Sequence, residues 1–122
     1  GFLGMALARG FLERDPARSF LYERIGSLNP PATLGTVLSK LAAVQVDPAQ
    51  LANFRVPTLL LVGTEDAFFS VEGLREVADA IPGAKLQVLT GTGHSAYFAE
   101  PAIFNGLVES FFEEIGPWAS SS

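Results

Sequence analysis

"VPTLLLVGTEDAFFSVEGLREVADAIPGAKLQVLTGTGH" (Val56–His94) decides how the whole chain is read. It opens on "VPTLLLVG", a continuous apolar run bounded by Pro57 and Gly63. That is the pattern of a strand covered on both faces, as in a parallel sheet. Ser70 then stands where an N-cap is wanted, before "VEGLREVADAI", whose Leu74, Val77, Ala78 and Ile81 share one helical face. Pro82-Gly83 ends that helix, and "AKLQVL" (Ala84–Leu89) reads as a second strand. Strand, helix and strand predict a parallel pair with a right-handed crossover and the helix packed on the sheet.

Beyond this stretch, "TGTGHSAYFAE" is a loop and "PAIFNGLVESFFEEI" (Pro101–Ile115) a last helix, stopped by Gly116-Pro117. Ile103, Phe104, Leu107, Val108, Phe111 and Phe112 form its apolar stripe, and the Phe111-Phe112 pair is assigned to the core. "ASSS" at the end is expected to fray. Before it, residues 1–54 read as helices with no strand. "FLGMALARGFLER" and "ARSFLYERIGSL" are amphipathic candidates separated by Asp15-Pro16, and Asn29-Pro30-Pro31 breaks the chain again. Leu34, Val37, Leu38, Leu41 and Val44 recur at helical spacing. Asp47, Pro48 and Gln50 look like an N-cap, a first-turn proline and a capping-box partner for a short helix "PAQLANF".

The chain has 122 residues, 48% hydrophobic and 17% charged, which fits one globular domain or part of one. A net charge of -5, with the basic residues scattered, argues against nucleic acid as a partner. With no cysteine there is no disulfide, thiolate nucleophile or zinc-thiolate site, and the composition leans to a cytoplasmic location. The opening "GFLGMALARGFL" is far too short for a membrane span, and without a basic n-region or a small-residue cleavage site it does not read as a signal peptide; no membrane partner is expected. A single histidine cannot supply the usual zinc ligand set, and no metal or cofactor is expected. The first residue is Gly1 and the only methionine is Met5, which reads either as a processed N-terminus or, more sharply, as the C-terminal part of a longer protein. Two apolar parallel strands with open edges point the same way, or to self-association through an exposed sheet edge.

In an open parallel sheet, ligands gather outside the carboxyl ends of the strands. Asp66 and His94 both fall in those loops. A carboxylate there can accept a hydrogen bond from one ring nitrogen, fix the tautomer and leave the other nitrogen to take a proton from a nucleophile. Gly91 and Gly93 permit a loop that side chains would obstruct. Glu65 is the alternative acid. Ser70 and Ser95 are poor substitute nucleophiles, since neither sits on a sharp strand-to-helix elbow. Tyr97 and Phe98 are expected to pack beside the histidine loop.

Residues 55 to 115 resemble the C-terminal part of the α/β-hydrolase superfamily. The likeness rests on an ordered pair of loops, Gly63-Thr64-Glu65-Asp66 and Gly91-Thr92-Gly93-His94, with a helix between them and an "EP…F" helix after. It implies an α/β fold: the β-α-β-α end of the parallel sheet at 55–122, preceded by a helical cap-like segment at 1–54. It also implies Asp66 as catalytic acid and His94 as catalytic base, acting on a small-molecule carbonyl substrate such as an ester or lactone. Phe2, Phe11, Phe20 and Tyr22 would then either line a substrate pocket or, as the ordinary expectation, pack the helices. The chain departs from the superfamily in having no G-x-S-x-G elbow and no HGG-type oxyanion segment. By the superfamily order the nucleophile precedes Gly1, and the 122 residues alone should be inactive. An Asp nucleophile, as in dehalogenases and epoxide hydrolases, a carbon–carbon hydrolase, and a non-catalytic binding or association module are the other readings left open.

Overall fold

The computed structural model describes residues 5–28 and 34–117. Phe2, the Asn29-Pro30-Pro31 break and the serine tail lie outside these residues. Among the described residues the chain passes through α1 (Phe11–Arg14), α2 (Pro16–Gly26), α3 (Leu34–Ala42) and α4 (Pro48–Leu51). It continues with β1 (Leu59–Gly63), α5 (Val71–Ala80), β2 (Lys85–Leu89), α6 (Ala96–Ala99) and α7 (Pro101–Ile115).

The two strands pair in parallel, from Leu59 opposite Lys85 to Gly63 opposite Leu89, and α5 joins them while packing on both. Ser70 caps α5, its hydroxyl accepting from the Gly73 N–H at 3.0 Å. Leu74, Val77 and Ala78 are half-buried and Ile81 is buried, as the spacing predicts. Because Gly63 and Leu89 are in register, both strands end level. Their loops then cross-link: Thr64 N–H donates to Leu89 O and Glu65 N–H to Thr92 O, each at 3.0 Å. Burial on both faces, expected for "VPTLLLVG", is reached only at Val62 and Gly63. Leu59 to Leu61 stay half-buried, since among the described residues the sheet has two strands and an open edge on each side.

Among the described residues the segment before β1 holds helices only. The first expected helix does not run through to Arg14. Gly10 takes a left-handed φ of 75° immediately before α1, a conformation that glycine adopts freely and that interrupts the helix. Asp15, expected only as a separator, caps α2 by accepting from the Arg18 N–H at 3.0 Å, with Pro16 in the first turn. Asp47 caps α4 through the Ala49 N–H at 2.9 Å, again with a first-turn proline. Gln50 supplies its backbone N–H to Asp47 O rather than a side-chain return bond, and α4 ends at Leu51 instead of reaching Phe54.

α7 corrects a second expectation. Phe112 is 62% exposed and Ile103 is also exposed, whereas Phe104, Leu107, Val108 and Phe111 are half-buried. At roughly 100° per residue, Ile103 and Phe112 fall on opposite margins of a stripe about 180° wide, and only its middle can face a neighbour. A buried cluster of Leu7, Phe11 and Ala99, with Tyr22 and Phe98 against it, ties α1 and α2 to α6. Phe11 is therefore a packing residue, while Phe20 is exposed under the Arg24 guanidinium. No helix among the described residues is long and apolar enough to cross a membrane.

Candidate functional site

The level ends of β1 and β2 build the site. Gly63 closes β1 directly under the second loop: a Cβ there would lie 1.9 Å from Thr92 O, so the crossing needs glycine. Gly91 turns the second loop with φ 70°. At Gly93 a Cβ would lie 2.5 Å from Ala8 N, because the segment before α1 passes over the loop at that point. The Ser95 N–H donates to Ala6 O at 2.8 Å and fixes that crossing.

Asp66 follows β1 in a turn closed by its own N–H to Gly63 O. Its side chain is 5% exposed and fully committed. Oδ1 accepts from the Phe68 N–H at 2.8 Å and the Phe69 N–H at 3.1 Å, and Oδ2 lies 3.0 Å from His94 Nδ1. An ionised carboxylate only accepts, so Nδ1 carries the proton and Nε2 is left as the basic nitrogen. The imidazole is 38% exposed and is held edge-on by the Phe68 ring, centroids 4.8 Å apart, with Phe69 at 5.6 Å. The arrangement can hold one tautomer, stabilise an imidazolium and pass a proton through Nε2.

The other sequence candidates go elsewhere. Glu65 turns away from the histidine, and its Oε2 accepts from the Arg9 N–H at 2.8 Å. Ser70 is occupied as the α5 cap. Ser95 is 2% exposed, with its hydroxyl 2.7 Å from the Tyr22 hydroxyl. The rings beside His94 are Phe68 and Phe69, not Tyr97 and Phe98. Tyr97 is exposed near Phe104, and Phe98 meets the Tyr22 ring edge-on at 4.9 Å. Sequence reasoning missed Phe68 and Phe69, although the signal was available: they fill the turn whose N–H groups an Asp two or three residues earlier accepts. Two open hollows lie beside the pair. One is lined by Leu7, Arg9, Thr64, Glu65, Asp66 and Ala67, the other by Phe68, Phe69 and the first turns of α5. Among the described residues no group of three His, Asp or Glu side chains could hold a metal ion.

A level parallel pair joined by a helix, with Asp66 and His94 meeting at one rim, fits the α/β-hydrolase fold, and known proteins show the family. Residues 39–116, well over half the chain, match the α/β-hydrolase family described as TAP-like protein, and the chain belongs to that family. The AB hydrolase superfamily protein YisY of Bacillus subtilis is 26% identical over 106 residues, 86% of this chain and 40% of YisY. Among solved structures, Est816, described as an N-acyl homoserine lactone degrading enzyme, superposes with a TM-score of 0.70. It shares 26% identity and covers 92% of this chain and 45% of its own. The enol-lactonase from Burkholderia xenovorans LB400 has the same fold, with a TM-score of 0.78 at 21% identity, covering 90% of this chain and 42% of its own. The chain thus spans less than half the length of each of these relatives.

Proposed function

We propose that Asp66 and His94 are the acid and base of a serine-type α/β-hydrolase that cleaves an ester, a lactone or a related small carbonyl compound. The 3.0 Å approach of His94 Nδ1 to Asp66 Oδ2 carries this reading. Its lactone branch is supported by the likeness to Est816. In the reaction, Asp66 orients the ring, His94 Nε2 takes the proton of the attacking hydroxyl, and the imidazolium then returns it to the leaving group. The same nitrogen activates water for deacylation, and no cofactor is required. Residues 55–122 supply this half of the machinery and residues 1–54 serve as the cap-like segment. The nucleophile and oxyanion donors are not among the 122 residues, which contain no G-x-S-x-G.

A p-nitrophenyl ester assay tests the proposal. Residues 1–122 alone should show no His94-dependent turnover, since an imidazole without nucleophile and oxyanion donors loses most of the rate. A gene product that joins these residues to a nucleophile elbow and oxyanion donors should be active. It should lose about 10⁴-fold or more in kcat with His94→Ala, and about 10⁴-fold with Asp66→Asn, which holds the wrong tautomer. Full activity of that product after His94→Ala would sink the reading.

A further inference from the structure

Asp66 fixes one side of the imidazole; what fixes the backbone that carries His94 is a different set of residues. His94 and Ser95 lead into α6, a single turn of four residues. One turn is far below the length at which a helix holds itself, and its terminal N–H and C=O groups need outside partners. α2 touches the turn at both ends, through the Ser95 side chain at the start and through backbone carbonyls at the end. The Tyr22 hydroxyl meets the Ser95 hydroxyl at 2.7 Å at the start of α6. At its end the Arg18 guanidinium donates to the Phe98 carbonyl and, at 3.2 Å, to the Ala99 carbonyl.

Arg18 and Tyr22 are four residues apart and so lie on one face of α2. The face is completed by apolar contacts, with the guanidinium 5.5 Å from both the Phe11 and Phe98 ring centroids and the Tyr22 ring against Phe98. Ser95 is informative here. A serine at a helix N-cap ordinarily turns its oxygen to the first N–H groups of its own helix. Ser95 makes no such bond and gives its hydroxyl to Tyr22, while its N–H is held by Ala6 O.

We propose that α2 is a fixed brace rather than a moving lid, and that Tyr22, with Arg18, is a positioning residue that keeps His94 Nδ1 on Asp66. Its catalytic importance rests on the role proposed for His94, but the geometry can be tested without turnover. His94 is the only histidine, so its ring nitrogens give unambiguous ¹⁵N resonances in the 122-residue chain. In the neutral ring the wild type should show the Nδ1–H tautomer. Tyr22→Phe keeps the ring packing and removes one hydroxyl. It should shift the tautomer ratio toward Nε2–H by about fivefold, the weight of one neutral hydrogen bond, with the melting temperature recording that the fold persists. Ser95→Ala should reproduce the shift, and the double variant should add nothing, because both changes remove the same bond. Arg18→Lys, which keeps a donor, should fall between wild type and Arg18→Met.

An unchanged tautomer ratio in folded Tyr22→Phe overturns the brace. Should that variant fail to fold, Ser95→Ala carries the same criterion. Unfolding of both, with the Arg18 variants folded and unshifted, also overturns it. A wild-type ring in the Nε2–H form would instead remove the Asp66–His94 pairing, a separate failure.

Discussion

Ser19 shows how sharply single positions are set in this chain. It lies on α2, has no solvent exposure, and its hydroxyl meets no partner among the described residues. A buried hydroxyl left unsatisfied costs on the order of 1–3 kcal/mol, and alanine is also the better helix former. Ser19→Ala should therefore stabilise the chain by about 1 kcal/mol despite the small void it leaves, and thermal melting should record a rise of a few degrees. A lower melting temperature would mean that the hydroxyl has a partner in solution. Gly63 sits at the opposite pole, since a single added methyl would meet the Thr92 carbonyl at 1.9 Å. At this scale the meeting of Asp66 and His94 was readable, because Asp66 follows the strand-ending Gly63 by three residues and His94 follows Gly91 and Gly93 in the loop after β2. It did not reveal what each neighbour does. Glu65 and Ser95 are chemically plausible participants until a backbone N–H and a tyrosine hydroxyl, distant in sequence, claim them.

Among the elements, those with local chemical punctuation were readable and those bounded by packing were not. Ser70 and Asp47 announce α5 and α4 by side chains that reach only two or three residues ahead. The break at Gly10 escapes a pattern reading, because apolar periodicity continues across it and only the left-handed φ ends the helix. The α7 stripe likewise does not reveal that only its middle is covered while both margins, Ile103 and Phe112, stay exposed. The α2–α6 contact is wholly tertiary and has a pH signature. Burial holds the Tyr22 hydroxyl above its ordinary value of 10.0, with Tyr97 pushing the same way and the Ser95 bond pulling back. The folded state then keeps this proton more firmly than the unfolded state does. Its stabilising contribution is whole below about pH 10 and is lost as pH rises through the folded-state value. Melting temperatures taken from about pH 9 to about pH 11 should fall less steeply for Tyr22→Phe than for the wild type. The effect is modest, since the ring is only partly buried. Parallel curves would show that the phenol titrates alike in both states.

For the whole molecule, the apolar surface left in view is the dominant fact. Leu12, Phe20 and Leu21 near the start, Val37, Leu38 and Leu41 on α3, and Val88 on β2 are all exposed. Leu59 to Leu61 are only half-covered. Patches of this kind favour association, and parallel strands with two open edges offer unpaired N–H and C=O groups to another chain. Opposing this is the net charge of -5, a repulsion that salt screens within roughly 10 Å at 0.1 M. The 122 residues alone should therefore self-associate through the sheet edge, more strongly as salt is raised. Sedimentation velocity over a range of protein concentrations should show a rising weight-average coefficient. Val56→Lys with Val88→Lys places charge at exposed positions beside both strands and should return the distribution toward monomer, as charged edge residues do in natural sheets. If the double variant associates as the wild type does, the α3 face is the contact instead, and Leu41→Glu becomes the change that dissolves it. A monomer at all concentrations and salts would mean that the exposed strands are covered from within the chain, and the edge would no longer be a route to partners.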